Sequence, residues 1–144
     1  MRYRRLGTSD LEVSAVSMGC WAIVGDDLWG PQDEGEALAA IRAALDAGIN
    51  FFDTAEGYGR GRSEQLVARG LEKRRKDVLI ATKVSPDHLR PEDLEKACER
   101  SLRNLRRDVI DLYQIHWPNW DVPIAETMGA LTRLKQQGKI RWIG

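Results

Sequence analysis

No apolar stretch in the sequence is long enough to cross a bilayer as a helix. Its opening residues, Met1-Arg2-Tyr3-Arg4-Arg5, run into alternating polar and apolar positions and not into the apolar core of a signal peptide. No membrane partner is therefore expected. An excess of one charge is also missing: 22 basic residues balance 22 acidic ones, without a long run of either. Nothing marks a nucleic-acid or anionic-lipid partner, and the expected partner is a small molecule. The two cysteines, Cys20 and Cys98, are too few and too far apart for a disulfide framework or a zinc cluster. Both read as buried free thiols, which fits a reducing cytoplasm, and no metal site is expected.

What the sequence does have is apolar material and a repeat. Hydrophobic residues make up 42% of its 144 positions, enough for one globular core. Tyr3 to Leu6 and Leu11 to Val16 flank the turn residues Gly7-Thr8-Ser9-Asp10 and read as a β-hairpin. A helix follows from Glu34 to Ala47, with Leu38, Ile41 and Leu45 on one face and Gly48 placed to stop it. The strand Ile49 to Asp53 comes next, then a helix over Ser63 to Glu72 and a buried strand from Val78 to Val84. Pro91 opens a third helix, with Leu94, Ala97, Cys98, Ser101, Leu102 and Leu105 inward, and Val109 to His116 is a further strand. Ile124 to Gln137 supplies a fourth helix with Ile124, Met128 and Leu131 aligned, closed by Gly138 before Ile140-Arg141-Trp142-Ile143.

Strands thus begin near Ala15, Ile49, Val78, Val109 and Ile140, about thirty residues apart, the length of one βα unit of a parallel sheet. The period fits an open doubly wound sheet or part of a (β/α)8 barrel. The absence of nucleotide motifs favours the barrel. No G-x-G-x-x-G follows the first strand and no Walker P-loop occurs, while Gly57-Tyr58-Gly59-Arg60-Gly61 has neither the place nor the spacing of that fingerprint.

Functional groups of parallel α/β folds gather at the carboxyl ends of the strands. Asp53, Lys83 and His116 stand at three successive ends, and Tyr58 lies in the loop just past Asp53. Each has a plainer reading. Asp53 could cap a turn, Lys83 could reach solvent at the rim, and His116 could simply pack. Tyr58, between two glycines, has little to pack on locally, which favours a hydroxyl turned to a cleft. Four such residues in register with the repeat point to a site.

The segment from Gly48 to Glu64, Gly48-Ile49-Asn50-Phe51-Phe52-Asp53-Thr54-Ala55-Glu56-Gly57-Tyr58-Gly59-Arg60-Gly61-Arg62-Ser63-Glu64, resembles the aldo-keto reductase signature around the catalytic aspartate and tyrosine. Ala81-Thr82-Lys83 resembles that family's lysine strand, the segment from Asp111 to Pro118 its histidine strand, and the segment from Gly138 to Gly144 the start of its fifth strand. The pattern is closer to the branch of bacterial reductases and potassium-channel β subunits than to mammalian aldose reductases.

The resemblance implies a TIM barrel of the aldo-keto reductase type with only about its first half present: residues 1–144 form one partial domain that stops in the fifth strand. It further implies hydride transfer from NADPH, with NAD not excluded, to an aldehyde or ketone. Tyr58 would donate the proton and Lys83 would help it, since a phenol with a pKa near ~10 exchanges its proton poorly at neutrality. Asp53 would pair with Lys83, and His116 would hold the carbonyl oxygen. Gly19, Cys20 and Trp21 match the stretch that flanks nicotinamide and substrate, with Trp21, Tyr58 and His116 touching the substrate and Asp53 near the cofactor. Trp29, Trp117 and Trp120 are open to two readings, the substrate mouth or shielded packing. A non-catalytic binding module or an inactive fragment is the alternative. By itself the chain is expected to lack activity and to self-associate through open strand edges.

Overall fold

The computed structural model describes residues 1–144, apart from the side chains of Lys73 and Arg75. The chain opens with an antiparallel hairpin, β1 (Tyr3–Arg5) and β2 (Glu12–Ser14). Alternating strands and helices follow: β3 (Met18–Gly19), α1 (Glu34–Asp46), β4 (Phe51–Asp53), α2 (Arg62–Leu71), β5 (Leu79–Val84), α3 (Pro91–Leu105), β6 (Ile110–Ile115), α4 (Ile124–Gln136) and β7 (Ile140–Ile143). The helix stops are chemical. Gly48 takes a left-handed φ of 84° and its N–H bonds the Leu45 carbonyl, so α1 ends and β4 starts almost at once.

The strand order answers what the period alone could not. All five strands are parallel and lie side by side in sequence order, β3-β4-β5-β6-β7, with no reversal. A doubly wound sheet reverses its order at a switch point, whereas right-handed crossovers that keep stepping the same way lay every helix on one face. Consecutive helices accordingly pack side by side. Gly70 lets α1 and α2 approach, since a Cβ there would lie 2.5 Å from Ile41 Cγ2. The arrangement is a run of successive units of a (β/α)8 barrel.

The two sheet faces differ. Phe52, Ile80, Thr82, Val84 and Tyr113 point under the helices and are fully buried, and Thr82 Oγ1 donates to Glu64 of α2 at 2.7 Å. The opposite face carries Asp53 paired in register with Ala81, and Lys83 with Gln114. That is the interior side of a barrel. The hairpin sits at the other end of the strands: Tyr3 Oη donates to the Gly48 carbonyl at 2.9 Å, and Asn50 Oδ1 accepts from the Ser14 N–H at 2.7 Å.

Two expectations need correction. The first parallel strand starts at Met18, not near Ala15, because the Ala15 N–H still bonds the Arg2 carbonyl at 2.8 Å and so continues the hairpin. On α4 the buried face is Thr127, Ala130, Leu131 and Leu134, while Ile124 and Met128 are 59% and 39% exposed. They lie on the flank opposite Arg133, whose guanidinium pairs with Glu95 of α3. Thr127 Oγ1, bonded to the Leu89 carbonyl at 3.1 Å, turns the helix this way.

Candidate active site

Three strand ends and one loop bring the expected residues together. The sequence Ile49-Asn50-Phe51-Phe52-Asp53 alternates across β4, so a buried Phe52 leaves Asp53 on the open face. Lys83, two residues beyond Ala81, lands on the same face one step further along. Its ammonium donates to Asp53 Oδ1 at 2.5 Å, to the Thr54 carbonyl at 2.9 Å and to Tyr58 Oη at 3.4 Å. The Lys83 side chain is 15% exposed, so desolvation is offset by a carboxylate and a carbonyl.

The loop that carries Tyr58 is pinned from below. Thr54 Oγ1 donates to Ser63 Oγ at 2.8 Å, which donates to the Cys20 carbonyl at 2.6 Å, joining the ends of β3 and β4 to the start of α2. Gly59, at a φ of 58°, passes so close to Val24 that a Cβ would lie 3.1 Å from Val24 Cβ. The Tyr58 ring stacks on Trp21 at 5.7 Å and meets the edge of His116 at 5.5 Å. His116 continues the β5–β6 ladder, its N–H bonded to the Val84 carbonyl at 3.0 Å.

Gly19 and Trp21 border this cleft, and Cys20 lies behind it. The Cys20 thiol is fully buried, its backbone N–H bonds the Asp53 carbonyl, and burial pushes its pKa up to about 12. Cys98, buried in the core, is pushed up to about 12 by the same cause. Trp29 meets Trp21 edge-on at 5.9 Å, and Trp117 stacks on His116 at 5.9 Å. Trp120 is 93% exposed, so it packs on little.

Two residues of this region escaped the sequence reading. Asp26 accepts Trp21 Nε1 at 2.7 Å and the backbone N–H groups of Leu28 and Trp29 at 2.9 Å, fixing the Trp21 indole and the turn that carries Trp29. An Asp ahead of Leu28-Trp29-Gly30 was a legible turn signal. Glu56 is nearly buried beside the cleft, and only its place between Asp53 and Tyr58 hinted at it.

Burial first, and then the Lys83 ammonium, hold the His116 imidazole below the usual histidine range, outweighing the Asp53 and Glu56 carboxylates. The ring is therefore uncharged at neutral pH and offers one N–H donor. An NMR titration is expected to give a midpoint below the ~6.5 of an unperturbed histidine, rising when Lys83 is replaced by Met. The unfolded chain takes up this proton first as pH falls. The folded form is thus penalised on acidification through ~6.5, and His116→Asn should lose less stability there than the parent. A His116 midpoint at or above that value would contradict the geometry.

A Cβ built at Gly19 meets nothing within 4 Å, so space lies open over the end of β3 beside Asp53. That opening could hold the reacting end of a flat nicotinamide. No cluster of metal-ligating side chains occurs among the described residues.

Comparisons with known proteins agree with the fold. The sequence profile of the aldo/keto reductase family matches residues 15–144. The chain is similar to aldo-keto reductase YhdN of Bacillus subtilis (strain 168), 40% identical over 100% of this chain and 46% of that protein. It is also similar to the NADH-specific methylglyoxal reductase of Escherichia coli (strain K12), 37% identical over 96% of this chain and 50% of that one. A probable voltage-gated potassium channel subunit beta of Oryza sativa subsp. japonica is 36% identical over 96% of the chain and 44% of its own length. Among solved structures, the thermostable aldo-keto reductase Tm1743 in complex with epalrestat superposes with a TM-score of 0.91 at 38% identity, covering 100% of this chain and 53% of that one. The aldo/keto reductase from Klebsiella pneumoniae in complex with NADP and acetate gives 0.84 at 35% identity, covering 92% and 45%. The chain spans about half the length of these relatives.

Proposed function

This chain belongs to the aldo/keto reductase family, whose members are generally NAD(P)H-dependent oxidoreductases, and we propose that it carries the proton-transfer machinery of a reductase that converts aldehydes or ketones to alcohols. The observation that carries this reading is the Lys83 ammonium held at once against Asp53, the Thr54 carbonyl and the Tyr58 hydroxyl. A lysine that merely filled the rim would need no phenol beside it.

A reduced nicotinamide, bound over Gly19 and Asp53, would supply a hydride to the carbonyl carbon. The chain's own residues handle the oxygen. Tyr58 Oη donates a proton to it as negative charge develops, and Lys83 Nζ stabilises the phenolate left behind. Asp53 keeps the ammonium in place and offsets its charge. The uncharged His116 imidazole donates its N–H to the same oxygen and aligns the carbonyl. Trp21 stacks on the Tyr58 ring and shapes the side of the cleft.

Both nicotinamide cofactors suit the site as described. The Klebsiella protein holds NADP and the Escherichia coli protein is specific for NADH, and NADPH is the cofactor we propose for this chain, with NADH the second candidate. The test uses the complete reductase: the reading frame that contains these residues, or this chain joined to the C-terminal half of a relative such as the Bacillus subtilis protein. It follows a labelled hydride from the reduced nicotinamide into the product alcohol.

A further inference from the structure

The chemistry above leaves one carboxylate beside the site without a task. Glu56 stands two residues before Tyr58, and its side chain is only 8% exposed. Oε1 accepts from the Ser85 N–H at 2.7 Å and from His88 Nδ1 at 2.9 Å, and Oε2 accepts from Arg100 Nη2 at 3.2 Å. The Glu56 N–H donates to the Lys83 carbonyl at 3.2 Å. All of these partners belong to β5, the loop after it, or α3.

We propose that Glu56 is a positioning residue for carbonyl reduction: it bonds the loop that carries Tyr58 to the loop that follows Lys83, and so holds the Tyr58 hydroxyl within reach of the Lys83 ammonium. The proposal rests on the reading of Tyr58 as proton donor. Tyr58 and Lys83 come from different βα units, and the backbone bonds that join them, Thr54 N–H to the Ala81 carbonyl and Glu56 N–H to the Lys83 carbonyl, stop two residues short of Tyr58. Below the loop, the Thr54–Ser63–Cys20 chain ties it toward β3 and α2. Toward β5, Lys83 Nζ holds the start of the loop at the Thr54 carbonyl, and the Glu56 carboxylate adds ties nearer Tyr58, each charge-assisted or to a backbone N–H.

A second counterion for Lys83 is a poorer account of Glu56. The ammonium already has Asp53 and the Thr54 carbonyl, while both Glu56 oxygens are taken by donors on the far side of the loop. The Tyr58–Lys83 contact, at 3.4 Å, is near the outer limit of a hydrogen bond. A drift of less than an ångström would break it, and displacements of about 1 Å cost up to ~100-fold in rate.

The experiment is Glu56→Gln in the complete reductase, which keeps the side chain's size and removes its charge. The expected result is a kcat lowered by about tenfold or more, with the carbonyl KM and the cofactor Kd within about twofold of the parent. The solvent deuterium isotope effect on kcat should rise, because proton donation becomes slower. An ion cluster that serves stability alone would lower the melting temperature and leave kcat unchanged, and that result overturns the proposal. So does a kcat loss that merely tracks weaker cofactor binding.

Should Glu56→Gln fail to fold, the double variant His88→Leu, Arg100→Met removes donors whose side chains are 39% and 42% exposed, leaving the core intact. It should lower kcat in the same pattern, and an unchanged kcat overturns the proposal. Tyr58→Phe is measured beside them. Full activity in that variant removes the reading beneath the proposal, whereas a dead Tyr58→Phe with an unaffected Glu56→Gln removes only the proposal.

Discussion

Replacing Tyr58 by Phe in the complete reductase is expected to lower kcat for aldehydes by about a thousandfold, the middle of the range for losing a positioned general acid, while cofactor affinity stays within about twofold. The change deletes one oxygen atom. The ring keeps its stack on Trp21 and its edge against His116. Lys83 keeps Asp53 and the Thr54 carbonyl, so no buried ammonium is left unpaired. A loss of that size corresponds to about 4 kcal/mol of activation free energy, far more than one neutral hydrogen bond contributes to stability. Steady-state kinetics with fluorescence titration of the cofactor would separate the two effects. A variant retaining most of its kcat would take the proton-donor role away from Tyr58.

The second large effect concerns these 144 residues as a polypeptide on their own. They are expected to reduce aldehydes at least about a hundredfold more slowly than the complete reductase, and to self-associate. The sheet face turned away from the helices carries Phe51, Leu79, Leu112 and Trp142, all only partly covered. β3 and β7 each pair with one neighbour and so present a free edge. Free edges and a half-bare apolar face seek partners. Catalysis also draws on binding energy from remote parts of a cofactor to hold its reactive end in place, and in this chain we assign residues only to that reactive end. Light scattering would give the mass in solution and nicotinamide absorbance the rate. A monodisperse monomer turning over like the complete enzyme would contradict this, while activity gained on adding a separately expressed C-terminal half would agree with it.

Much of the fold was legible because its punctuation is local. Gly48, Gly138 and Pro91 mark helix ends by their own backbone preferences, and the compact apolar runs from Val78 and Val109 became β5 and β6 within a residue. The errors have local causes too. Ser14-Ala15 continues the alternation of the hairpin, which hid the break before β3. Ile124 and Met128 are apolar and share a helical stripe with Leu131, so composition could not tell the buried flank of α4 from the exposed one. Barrel against open sheet was a question of strand order, which is set by packing and not by period.

The candidate site divides in the same way. Asp53, Lys83 and His116 were visible because strand ends are visible, and Tyr58 because its flanking glycines leave it nothing local to pack on. Glu56 was hidden because its side-chain partners, Ser85, His88 and Arg100, lie 29, 32 and 44 residues away. Cys20 follows the first parallel strand and its free thiol is buried, as the sequence led us to expect.

The central claim is that the Asp53–Lys83–Tyr58–His116 arrangement serves hydride transfer to a carbonyl carbon. The most direct measurement supplies the complete reductase with nicotinamide cofactor deuterated at its transferable position and an aromatic aldehyde, then locates the label in the product by NMR and mass spectrometry. One deuterium at the carbinol carbon, with the hydroxyl proton drawn from solvent and transfer about a thousandfold slower in Tyr58→Phe, is the expected result. An alcohol without deuterium, or cofactor oxidation that proceeds equally without the aldehyde, would contradict the account.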